Sequence, residues 1–90
     1  MTTKNVNPDP TEGLAKAFGQ VLRRLRMQKD VSQQELADTS GLGRPFISLL
    51  ERGLRAPSLR TFLLLAYSIG VPVADFITTI EEALRRRRSL

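Results

Sequence analysis

The stretch that most constrains this chain is Ser32 to Gly53, SQQELADTSGLGRPFISLLERG. Ser32 is a good helix N-cap, and Glu35 three positions later completes a capping box, so a helix is expected to start at about Gln33. Leu36 and Ala37 supply its apolar side, and Asp38, Thr39, Ser40 and Gly41 break the pattern. Gly41 suits a left-handed helix C-terminus. A second helix can begin after Gly43, with Pro45 in its first turn, where a missing N–H costs nothing. Ile47 and Leu50 are three apart and face one way, whereas Arg44, Ser48, Leu49 and Arg52 lie on other faces. Gly53 ends it. The pattern predicts two short helices, at about 33–39 and 44–52, joined by a tight turn.

Two helices, a tight turn and a basic residue leading the second make a helix-turn-helix, whose second helix enters the DNA major groove. The stretch resembles the phage-repressor and Cro-like (XRE-type) helix-turn-helix family. The matching residues are Ser32-Gln33-x-Glu35-Leu36-Ala37, Gly41-Leu42, Ile47-Ser48, Glu51-Arg52-Gly53 and Pro57-Ser58. With Leu25-Arg26 before it and Leu63 to Val71 after it, the resemblance covers roughly residues 14–78. Any one piece is weak evidence, and the combination is specific. It implies an all-α, compact five-helix domain that binds double-stranded DNA and regulates transcription, most commonly as a repressor.

The gross numbers agree. Ninety residues make one small domain, enough for a single core with little margin. Fourteen Lys and Arg against nine Asp and Glu give a net charge of +5, a balance that favours a polyanionic partner. There is no cysteine, so no disulfide supports the fold, which is compatible with a reducing cytoplasm. Histidine, the commonest general base and metal ligand, is also absent. No metal-ligand spacing, nucleophile–base pair or phosphate-cradling loop after a strand is present, so neither an enzyme nor a cofactor or metal is expected. No apolar run has the length to span a bilayer, and the N-terminus lacks the apolar core of a signal peptide. The expected setting is cytoplasmic.

Residues 1–10 are polar, with two prolines and only Lys4 as a cation, and read as a frayed arm before a domain at 11–78. A first helix is expected from about Thr11 or Glu12 to Gln28, its apolar face formed by Leu14, Phe18, Val21, Leu22 and Leu25. A fourth, at about 58–69, starts at the Ser58 cap; Leu59, Phe62, Leu63, Leu65, Ala66 and Ile69 leave little polar surface and imply burial. Gly70 closes it. Pro72 opens a fifth helix at about 73–87, with Asp75 in its first turn. Its apolar stripe runs longer than so small a core requires, which points to homodimerisation through Phe76, Ile77, Ile80 and Leu84 in a segment of about 73–90. Relatives in the resembling family commonly dimerise and read palindromes. Arg85 to Arg88 end the chain as a basic tail that suits the helix dipole, with i to i+4 pairs available from Glu81 to Arg85 and Glu82 to Arg86.

Residue roles follow from the motif and the resemblance. Arg44, at the first turn of the recognition helix, is placed to read a base, with Ser48 one turn on; an arginine can contact guanine bidentately. Leu49 stands where the family often carries a polar base-reading residue. Here it cannot donate to a base: it either packs against a thymine methyl or marks a surface that reads fewer bases or meets a protein. The resemblance places Gln33 at a phosphate, where an amide and free N–H groups at a helix N-terminus donate. Pro45 and Phe46 are expected beside the DNA backbone, Phe46 with half-burial between helices as its other reading, and Arg52, Arg55 and Arg60 suit phosphate contacts. In the family, the arginine at position 26 pairs with the glutamate at position 51, tying the first helix to the recognition helix. Two alternatives stay open: an antitoxin or controller subunit that regulates its own operon, and a protein-interaction module that has lost base reading.

Overall fold

The computed structural model describes residues 9–89, and residues 1–8 of the expected arm at 1–10 lie outside the described residues. The chain forms α1 (Leu14–Gln28), α2 (Gln33–Ser40), α3 (Arg44–Glu51), α4 (Leu59–Ile69) and α5 (Val73–Ser89), with no strand among the described residues. The capped boundaries fall where the local signals put them. Ser32 and Glu35 form a reciprocal capping box, and Ser58 Oγ accepts the Thr61 N–H. Gly41 and Gly70 end their helices in the left-handed region at φ 78° and 84°, where a Cβ would be strained.

The start of α1 differs from the expected one. Gly13 sits at φ 82° and cannot continue a right-handed helix, so Thr11 to Gly13 form a turn ahead of it. Asp9 closes this turn: its carboxylate accepts the Thr11 N–H at 2.9 Å and the Thr11 hydroxyl at 2.7 Å. These bonds hold the Asp9 pKa below its usual value, the backbone bond contributing most.

All five helices supply the core. Its centre is an aromatic cluster in which Phe18 stacks on Phe76 with ring centroids 5.8 Å apart, and Phe62 meets Phe76 edge-on at 4.9 Å. Val21, Leu22, Leu36, Ile47, Leu50 and Leu65 fill the space around it, all fully buried.

Two apolar groups are placed differently from their reading in sequence. Phe76, grouped with Ile77, Ile80 and Leu84 as an association surface, is wholly buried inside the monomer and cannot meet a second chain. The reason is angular: neighbouring helix positions lie about 100° apart, so when α5 packs Phe76 and Ala83 inward against α1, Ile77 turns outward. Ile77 is 51% exposed, whereas Ile80 and Leu84 are half-buried against the core. Leu59, expected inside, is 73% exposed: it opens α4 on the rim of a groove whose floor Phe62 helps to form.

Candidate nucleic-acid interface

The candidate interface is built from the start of α2 and the outer face of α3. Ser32 Oγ accepts the Glu35 N–H at 3.0 Å, and Glu35 Oε1 accepts the Ser32 N–H at 2.8 Å. Among the described residues no capping acceptor takes the Gln33 and Gln34 N–H groups. They stay available to an anion at the positive end of the helix dipole. The turn that follows is held by Gly41, whose N–H reaches Ala37 O at 2.9 Å, and by the Ser40 hydroxyl, which accepts the Leu42 N–H at 3.2 Å. Gly43 then leads into α3, with Pro45 in its first turn.

α3 divides cleanly. Ile47 and Leu50 are fully buried and fix the helix on the domain. Arg44, Pro45 and Arg52 are exposed on the opposite side, with Ser48 half-exposed between Arg44 and Arg52. Leu49 is half-buried, at the edge of this face. The outward row is therefore Arg44, Ser48 and Arg52, one turn apart, with a guanidinium group at each end.

What orients the row is a nearly buried polar node. Arg26 grips Glu51 with two parallel bonds, Nε to Oε2 at 2.6 Å and Nη2 to Oε1 at 3.0 Å, and donates through Nη1 to Val31 O at 2.8 Å. The pair is only 11% and 4% exposed at its side chains. One arginine thus clamps the end of α1, the entry to α2 and the end of α3. The Glu51 hydrogen bond raises the Arg26 pKa above its usual value, against the opposing effect of burial. Gln33 joins the node: its amide Nε2 donates to Glu51 Oε1 at 3.0 Å. The residue assigned to phosphate is thus drawn partly inward. One amide N–H is committed to Glu51, while the second and the backbone N–H groups remain for a ligand.

Sequence reasoning missed Gly19. A Cβ there would stand 2.4 Å from Leu50 O and 2.6 Å from Glu51 O, so α1 and α3 touch through backbone at this point. A glycine in mid-helix was the available signal.

Beyond α3, the Arg55 guanidinium carbon sits 5.8 Å from the centre of the Phe46 ring, within cation–π range. The structure thus brings Phe46 and Arg55 together. Arg60 is exposed on the first turn of α4, and Gly53, at φ 73°, lets the connecting loop turn against Lys16. Among the described residues the ion pairs are Arg26–Glu51 and Arg85–Glu81, so Arg44, Arg52, Arg55 and Arg60 face solvent with their charge uncompensated by a bridge. No group of acidic side chains among the described residues is placed to hold a metal ion, and no single helix is long and apolar enough to cross a membrane.

A two-helix unit with an exposed basic leading residue, braced by a buried ion pair inside a five-helix core, defines a helix-turn-helix of the phage-repressor and Cro-like type. A Helix-turn-helix family model matches residues 22–76, and the chain belongs to this family of DNA-binding transcription regulators. It is 34% identical over 74 residues to the cryptic phage CTXphi transcriptional repressor RstR of Vibrio cholerae, covering 78% of this chain and 67% of the relative. Among solved structures it is similar to the restriction-modification controller protein C.AhdI of Aeromonas hydrophila, with a TM-score of 0.66 and 40% identity over 69% of this chain and 94% of that one. It is also similar to the controller protein C.Esp1396I, solved as a tetramer in complex with its natural 35-base-pair operator, with a TM-score of 0.74 and 25% identity over 79% and 93% of the two chains.

Proposed function

We propose that this protein binds a palindromic operator as a homodimer, with α3 in the major groove, and represses transcription by occupying it. The observation that carries the reading is the outward row of Arg44 and Ser48 on a helix whose inner face and C-terminal end are locked to the core. Arg44 reads a base edge and Ser48 allows close approach, with Leu49 packing beside them. The α2 N-terminus, with Gln33, Pro45, Phe46, Arg52, Arg55 and Arg60, holds the sugar-phosphate backbone. Binding is the whole mechanism, so the protein is not an enzyme, and its place is the cytoplasm, on DNA.

Selection of bound fragments from genomic DNA identifies the operator, and an inverted repeat with half-site centres about 34 Å apart is expected. On that operator, Arg44→Ala is expected to lower affinity by about 1–3 kcal/mol and to flatten the preference among base substitutions at one position of each half-site. Fluorescence anisotropy checks both. An equal loss on every sequence would make Arg44 a phosphate contact instead.

For the homodimer, support comes from an open apolar groove where α1, α4 and α5 meet. Phe18 and Phe62 form its floor, and Leu14, Leu59, Ile77 and Ile80 form its rim. Exposed leucine and isoleucine around a groove present both knob and hole, as a self-complementary two-fold interface requires. Ile77→Asp is expected to convert a dimer to a monomer in sedimentation equilibrium and to weaken operator binding at least about tenfold, since each half-site must then be held alone. An unchanged mass would remove Ile77 from the interface. The likeness to C.AhdI favours a second reading of the same chemistry, a controller subunit acting on its own operon; an operator recovered immediately upstream of the protein's own gene would select it.

A further inference from the structure

The arginines that the DNA reading does not use lie together on another side of α1. α1 and α5 leave an open furrow lined by Gln20, Val21, Arg24, Ala83, Arg86 and Arg87, with Arg85 at its edge. Val21 and Ala83 are buried and form its floor, and Arg24 and Arg86 are exposed at its rim. Arg87 reaches the start of α1, its Nε 3.2 Å from where a Cβ on Gly13 would stand.

Local neutralisation of these charges is incomplete. Glu81 takes Arg85, at 3.2 Å, and Arg88 acts on Asp9. Glu82, one turn before Arg86 and available to it by spacing, forms no ion pair with it. Arg24, Arg86 and Arg87 therefore face the furrow without a carboxylate partner among the described residues. The furrow also lies apart from the recognition helix. On α1, Gly19 and Arg26 face α3, whereas Val21 and Arg24 are rotated towards α5.

We propose that this furrow docks an acidic protein segment in which carboxylates alternate with apolar side chains. The carboxylates pair with Arg24, Arg86 and Arg87, whose planar guanidinium groups suit bidentate contact. The apolar side chains lie along the aliphatic arginine stems above Val21 and Ala83, which are themselves covered. A phosphodiester backbone has charge for the guanidinium groups but no apolar group to lie along their stems, which favours protein over nucleic acid. The proposal does not depend on the operator reading, because docking and recognition use different faces.

The test is a fluorescein-labelled dodecapeptide alternating glutamate pairs with single leucines, titrated into the full chain and read by anisotropy. The variant Arg24→Gln/Arg86→Gln/Arg87→Gln is expected to bind about tenfold more weakly than the parent chain. Arg44→Gln/Arg55→Gln/Arg60→Gln removes the same charge from the other face and is expected to bind within about twofold of it. Equal losses in the two variants, or no binding by the parent chain, would overturn the proposal. So would displacement of the peptide from the Arg44/Arg55/Arg60 variant by a 20-base-pair duplex, which would make nucleic acid the occupant. Amide shifts of the unmutated chain provide a reading that requires no variant to fold: the peptide should move Gln20, Val21, Arg24 and Ala83, and shifts confined to α3 would refute the site.

Discussion

Glu51→Ala is expected to lower stability by about 3–5 kcal/mol, the cost of stranding one member of a buried ion pair. The Glu51 side chain is 4% exposed and Arg26 11%, so water cannot readily replace the missing carboxylate. Arg26 would keep only the Val31 carbonyl, and the Gln33 amide would lose its acceptor. In a domain of this size each kcal/mol moves the melting midpoint by about 4–8 °C, so a fall of about 12 °C or more is expected by thermal circular dichroism. The charge itself is not what stabilises the fold. Replacing both partners with apolar residues, Arg26→Met with Glu51→Leu, is expected to cost less than Glu51→Ala alone, because no uncompensated charge then remains. A melting point within about 4 °C of the parent for Glu51→Ala would mean that the pair contributes orientation but little stability.

The second large effect comes from the smallest substitution. In the middle of an unencumbered helix, glycine to alanine stabilises by about 0.5–1 kcal/mol. Gly19→Ala is expected to do the reverse and destabilise by about 2–3 kcal/mol in urea unfolding. The added methyl would sit 2.4 Å from Leu50 O and 2.6 Å from Glu51 O, and both are backbone atoms that cannot swing aside as a side chain can. α3 would have to move away from α1, and the Arg44–Ser48 row would shift with it. A loss of operator affinity in the protein that remains folded is therefore expected alongside the loss of stability. A stabilising Gly19→Ala would show that the two helices can separate freely at this point.

Both effects converge on one place, where α1 meets the end of α3. The recognition helix has eight residues, too short to hold itself together in water. Its shape and aim come from Ile47 and Leu50 in the core, from the backbone contact at Gly19 and from the Arg26–Glu51–Gln33 node. A mutation at any of these positions is expected to act on DNA recognition without touching DNA.

What the sequence determined on its own is where the elements begin and end and what class of protein they make. Ser32 with Glu35, Gly41, Ser58 and Gly70 act within one turn of their own backbone, so their effect is legible without knowing what packs where. Gly13 is the exception among the local signals, since a glycine within an apolar-periodic stretch does not announce that it will take a positive φ. The pattern around the two short helices was specific enough to indicate the family. Only the tertiary structure decided how individual side chains are used. It buried Phe76 and exposed Ile77, turned Leu59 outward, drew the Gln33 amide onto Glu51, made Gly19 a point of helix contact and gathered Arg24, Arg86 and Arg87 around one furrow. Each of these depends on the angle and distance at which two helices from separate parts of the chain meet. Apolar periodicity marks which face of a helix is buried, but not which neighbour covers it or how far round the helix that neighbour reaches.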